Sequence, residues 1–198
     1  MKNIVTAIAI ACMFGANVQA QQKIMVKEDV FIQGGETEFT AFGEQKPKNL
    51  RIYKSQTSDK YSRITYLKFE MPKKLKSADK ISLHIPLKVY PNEDNPDATF
   101  NLEVFAVEND KWRELSITWD DALELGSMVG SMEVPQSVDG KNQRLEIELD
   151  AKEVSKLFNG KKDRKVTLAL LNNNFNRVSA MAPSKEQSSK VASYLMVE

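Results

Sequence analysis

The side chains able to do chemistry in this chain are mostly basic and aromatic, and they concentrate on two short segments. Arg51, Tyr53 and Lys54 lie on the first, and Arg63, Tyr66 and Lys68 on the second. Lysine and arginine give carboxylates charge-assisted hydrogen bonds, and a tyrosine ring offers a flat apolar face beside a polar hydroxyl. Together they suit a polymer that carries carboxylates on its rings. Other chemistries lack their parts. His84 is the only histidine, so a multi-histidine zinc site cannot be assembled. No Gly-rich phosphate loop, Gly-x-Ser-x-Gly elbow or His-Glu-x-x-His run is present, and no cofactor is expected. Asp120, Asp121, Glu146 and Glu148 are spread along the chain without any sign of the facing carboxylate pair a glycosidase needs.

The elements that hold these groups are strands. Apolar residues alternate with others at Val30 and Ile32, Leu50 and Ile52, Leu67 and Phe69, Leu83 to Val89, and Leu102 and Val104. The pattern resumes at Leu145, Ile147 and Leu149, then Val166, Leu168 and Leu170, and last Leu195 and Val197. Alternation with period two marks strands with one face on a core and one in water, as in antiparallel sheets. Turn clusters such as Gln33-Gly34-Gly35 and Asn172-Asn173-Asn174 separate the runs. The predicted fold is all-β, an antiparallel β-sandwich of jelly-roll type. One segment departs from it and predicts a short helix near residues 150–159. Asp150 caps its amides, Glu153 can return the bond, and Gly160 suits a left-handed exit. Val154, Leu157 and Phe158 would close one end of the sandwich. Strand parity buries Leu50, Ile52, Leu67 and Phe69 and turns Arg51, Tyr53, Tyr66 and Lys68 to water. If the two strands share a sheet, Lys54 and Arg63 sit near the edges of one cationic and aromatic face.

Residues 1–20 read as a secretory signal peptide: Lys2, an apolar run over residues 4–14, and a small-residue ending at Ala20. The run is too short to span a bilayer and nothing later approaches the necessary length, so no transmembrane segment is expected. Cys12, the only cysteine, falls inside this leader, which leaves the mature chain without a thiol. The chain holds 28 basic and 27 acidic residues, and the leader removes Lys2 and no acid. A mature chain of zero formal charge is not a nucleic-acid binder by charge. Residues 22–198 are drawn as one domain. The expected location is outside the cytoplasm, periplasmic or extracellular and at the cell surface.

The order of segments resembles the DNRLRE-type β-sandwich, also classed as carbohydrate-binding module family 96. The resemblance rests on Glu28-Asp29-Val30-Phe31-Ile32, Ala41-Phe42-Gly43, Asn49-Leu50-Arg51-Ile52-Tyr53-Lys54 and Arg63-Ile64-Thr65-Tyr66-Leu67-Lys68-Phe69. It continues with Trp112-Arg113-Glu114-Leu115-Ser116-Ile117-Thr118-Trp119, Ser184-Lys185-Glu186 and Tyr194-Leu195-Met196-Val197, so it covers nearly all of residues 22–198. Two departures stand out: Lys185 where the family has arginine, and Asp120-Asp121-Ala122 where it has an asparagine pair and proline. The resemblance implies an accessory module of secreted polysaccharide-degrading proteins, and members include binders of alginate, a polyuronate. It also places Lys185 near the cationic face.

The leading expectation is thus a secreted carbohydrate-binding protein without catalysis. Its site would comprise Arg51, Tyr53, Lys54, Arg63, Tyr66, Lys68 and Lys185, and its partner would be an acidic polysaccharide, with a secreted polysaccharide-degrading enzyme or surface protein as a further candidate. A second reading is a structural or adhesive subunit that contacts protein. A third is a small polysaccharide lyase in which Tyr66 acts as base and Arg51 or Lys68 neutralises a uronate. Trp112 and Trp119 are expected in the core. The 92–97 loop has oxygen donors for calcium but not the EF-hand spacing, and reads as a hydrophilic turn.

Overall fold

Alternating apolar residues build ten antiparallel strands within residues 21–75 and 78–198, which the computed structural model describes. The leader expected over residues 1–20, with Lys2 and Cys12, lies outside the described residues. In chain order the strands are β1 Gln22–Gln33, β2 Asn49–Ile52, β3 Arg63–Glu70, β4 Ile81–Val89 and β5 Phe100–Val107. They continue with β6 Met128–Val134, β7 Gln143–Leu149, β8 Lys165–Leu171, β9 Ala180–Pro183 and β10 Tyr194–Val197. The all-β antiparallel expectation holds.

Pairing runs β2-β9-β4-β10-β1-β3-β8-β5-β6, with β7 added on the other edge of β4. β1 belongs to both layers. Its residues 22–25 pair with β10, a register shift falls between Val26 and Glu28, and its later residues pair with β3. A bulge of this kind bends the strand and lets it pass from one layer to the other. Leu67 and Phe69 of β3, Leu168 and Leu170 of β8, Leu83 and Ile85 of β4 and Leu195 of β10 meet between the layers, all of them buried. Each such side chain contributes about 1.5–3 kcal/mol by leaving water.

The single α-helix among the described residues, α1, spans Ala151–Phe158. Asp150 caps it by accepting from the N–H groups of Lys152 and Glu153. The expected return bond from Glu153 is not made. The Asp150 N–H already donates to the Val129 carbonyl at 2.7 Å, and Glu153 turns to Lys156 instead. Gly160 takes the left-handed conformation at φ 75°, and Val154, Leu157 and Phe158 are buried.

The expectation that β3 shows one face to water is corrected. Five consecutive residues of β3, Thr65 to Phe69, are buried, because the connection between β5 and β6 folds back across the layer's outer face. Val30, Ile32, Tyr66, Trp112, Ile117 and Leu171 form a second apolar cluster there, with Trp119, Leu123 and Leu125 packed against it. The near-continuous apolar run of β8, Val166 to Leu171, is what a strand buried on both faces requires.

Candidate functional site

The parity of β3 is as expected, but its consequence for Tyr66 and Lys68 is the opposite. Both are fully buried, at 0% and 2% exposure. The Lys68 ammonium lies 2.9 Å from Glu28, donates to the Trp112 carbonyl, and sits 4.1 Å from the centre of the Trp112 ring. The second Glu28 oxygen accepts the Glu114 N–H at 3.0 Å. Burial alone would raise the Glu28 carboxyl, yet Lys68 and the Glu114 N–H together hold it below the usual range. Trp112, buried as expected, donates from Nε1 to Thr167 at 3.0 Å. The Tyr66 hydroxyl accepts the Leu123 N–H at 3.1 Å. These contacts clasp the β5–β6 connection to the sheet. Burial also pushes the Tyr66 phenol up to about 12, and at 0% exposure the ring is out of reach of the surface substrate for which the lyase reading needs a base.

Lys185 is likewise engaged with protein. Its ammonium pairs with Glu114 at 3.0 Å and Glu186 at 2.6 Å, and its N–H donates to Asp29 at 2.7 Å. Next to it the Ser184 N–H donates to the Lys48 carbonyl at 2.9 Å. The Ser184-Lys185-Glu186 corner therefore ties the last turn to β1 and to the segment before β2.

The four remaining residues converge. β2 and β3 do not pair along a shared sheet: β2 pairs with β9, and β3 with β1 and β8. They meet at one isolated bridge between Tyr53 and Arg63, with N···O distances of 3.2 and 2.9 Å. That bridge sets the Arg63 guanidinium 5.6 Å from the Tyr53 ring, while Gln33 at the end of β1 accepts from Arg63 Nε at 2.6 Å. Arg51 is exposed and lies 5.6 Å from the Phe31 ring, which stacks on Phe42 at 4.6 Å. The Lys54 ammonium sits 5.1 Å from the half-exposed Phe175 ring. Burial and the nearby Arg51 charge both lower the Arg63 value. Among the described residues no carboxylate pairs with Arg51 or Arg63.

Three adjoining depressions follow these side chains. One of about 270 Å³ lies between Phe31, Phe42, Arg51 and Met181. The next, about 190 Å³, shares Arg51 and Met181 and adds Tyr53, Arg63 and Tyr90. The third, about 250 Å³, shares Tyr53 and Arg63 and adds Lys54, Trp119 and Asn173. Shared walls make them one trough lined alternately by cations and rings. Trp119, expected in the core, is only half-buried and walls its end. Phe31, Phe42 and Tyr90 line the trough without being among the expected site residues, because each reaches it from outside the two segments that carry Arg51 to Lys54 and Arg63 to Lys68. Around the 92–97 loop Asp94 faces Arg177 at 3.8 Å, and among the described residues no group of three His, Cys, Asp or Glu could hold a metal ion. No helix among them is long and apolar enough to cross a membrane.

A search of curated protein sequences finds no match. Among solved structures the chain is similar to the Clostridium thermocellum endo-1,4-beta-D-xylanase 10B CBM22-1-GH10 modules complexed with xylohexaose. The identity is 9% and the TM-score 0.34, and the likeness covers 87% of this chain and 29% of that one. By sequence profile, carbohydrate-binding module family 96 matches residues 20–198, a span that takes in the clasp, the Ser184 corner and the trough alike. The chain belongs to carbohydrate-binding module family 96.

Proposed function

We propose that this is an exported, non-catalytic module that holds an acidic polysaccharide, a polyuronate being the best fit, in the trough between β2 and β3. The observation that carries the reading is the convergence of Arg51 and Arg63, without carboxylate partners among the described residues, upon the rings of Phe31, Tyr53 and Trp119. Two guanidiniums beside each other repel, and a bound carboxylate relieves that repulsion while its ring lies against an aromatic face. A neutral glucan supplies the ring and not the charge. The family match supports carbohydrate binding, and the basic lining supports the choice of an anionic one.

The test is retention of the purified protein on alginate, pectin and a neutral glucan across a salt series. Retention by polyuronates should fall steeply with salt, and Arg51→Ala with Lys54→Ala should weaken it by about tenfold, since one charge-assisted hydrogen bond contributes about 1.5–3 kcal/mol. Equal retention on neutral glucan, or polyuronate binding untouched by the double substitution, overturns the proposal.

A further inference from the structure

We propose a second binding site for an anionic sugar on the outer face of the other layer, in a cavity of about 410 Å³ between β4, β7 and the turn before β10. The face is ordered by strand register. Glu146 of β7, His84 of β4 and Tyr194 of β10 stand directly opposite one another, and Arg144 stands opposite Pro86 in the next row. The His84 and Tyr194 rings stack at 4.6 Å with 6° between their planes, and the Lys23 ammonium covers the far side of Tyr194 at 3.9 Å from the ring centre. Ser82 Oγ lies 3.0 Å from His84 Nε2. The imidazole is therefore fixed by a ring on one side and a hydroxyl at one nitrogen, and the residue lines the cavity. Groups held by paired strands give a more definite site than groups on loops.

The lining selects the ligand class. Arg144 and Lys190 are exposed, border the cavity from two elements, and make no side-chain ion pair or hydrogen bond with any described residue. They can take a carboxylate between them. Glu146, Asn142 and the free nitrogen of His84 add acceptors and donors that a bare inorganic anion has no use for, while the hydroxyls of a sugar use both. Pro86 supplies an apolar surface for the ring. The volume falls within the roughly 300–1,000 Å³ of small-ligand sites. A carboxylated pyranose satisfies every one of these groups. The cavity shares no residue with the trough, so one module could hold two chain segments and bridge them.

The chain supplies its own reporters. His84 is the only histidine, so its ring protons give an isolated signal, and the Trp119 indole reports on the trough. The protein is titrated with a uronate tetrasaccharide and, separately, with cellotetraose, following both signals by NMR. The uronate should move both and cellotetraose should leave His84 still. Arg144→Ala with Lys190→Ala should weaken the His84 response by about tenfold and leave the Trp119 response intact, and Arg51→Ala with Lys54→Ala should do the reverse. A silent His84 in the wild-type protein at saturating uronate overturns the second site, as does an equal response to cellotetraose or one untouched by Arg144→Ala with Lys190→Ala. A moving His84 beside a silent Trp119 overturns the trough and supports the second site.

Discussion

Replacing Lys68 by methionine separates a clasp from a ligand contact. The ammonium is 2% exposed, 2.9 Å from Glu28, and in contact with both the carbonyl and the ring of Trp112. Methionine fills most of the space of the buried stem but leaves Glu28 without its cation. Removing one partner of a buried pair costs about 3–5 kcal/mol. Glu28 is 27% exposed, so water screens part of the orphaned charge and the expected loss is about 2–4 kcal/mol. Adding Glu28→Gln removes that charge while the Glu114 N–H keeps an acceptor, and should recover about half of the loss. Urea unfolding followed by tryptophan fluorescence reads both variants. If Lys68→Met unfolds at the wild-type urea concentration yet loses polyuronate retention, Lys68 behaves as an exposed ligand contact and the clasp argument fails.

Three further outcomes follow from single contacts. Burial pushes the Asp29 carboxyl up to about 7 against the Lys185 N–H bond, with the Glu114 carboxylate adding to the rise. The folded state thus keeps a proton that the unfolded chain gives up near 3.8, so this contribution is complete below that pH and is lost as pH rises through 7. The loss runs at about 1.4 kcal/mol per pH unit and totals at most about 4 kcal/mol. Asp29→Asn should therefore gain on the wild type between pH 4 and 8 in urea melts, and a pH-independent difference would contradict this. Gly43→Ala puts a Cβ 1.8 Å from the Glu114 carbonyl oxygen, where backbone must move, and should cost about 3 kcal/mol or more by the same melts. Asp150→Ala strips the α1 cap and should lower stability by about 1 kcal/mol, a drop of about 2–4 °C in Tm by circular dichroism.

Local rules were readable and long-range closure was not. The alternation of Leu50 with Ile52 and of Leu67 with Phe69 depends only on the pleat, so their burial followed from the sequence. The same count put Tyr66 and Lys68 on the far face, correctly, but whether that face meets water depends on where residues 108–125 travel. The apolar run of β8 was the available sign that both faces are covered. The cap on α1 was legible in Asp150, whereas Glu153 lost its expected role to Val129, a residue on another strand. Arg51, Tyr53, Lys54 and Arg63 were singled out on the supposition of a shared sheet. They come together instead through one backbone bridge at the corner where β2 passes β3.

That corner also shows why the clasp and the trough belong to one design. The β5–β6 connection that Lys68 and Tyr66 pin to the sheet is the segment that carries Trp119 to the trough wall. Beyond the clasp, the N–H groups of Trp119 and Asp120 both donate to the Glu38 carbonyl, at 3.0 and 3.2 Å, which ties the wall to the turn after β1. β1 in turn supplies Gln33 to hold Arg63 and Phe31 to lie against Arg51. The buried cation thus fixes the frame, and on it stand the guanidiniums of Arg51 and Arg63, which meet no carboxylate among the described residues. Under the proposed binding role, exchanging the two would fail in both directions, since an unpaired charge is costly in the core and a paired one has little left to offer a carboxylate at the surface.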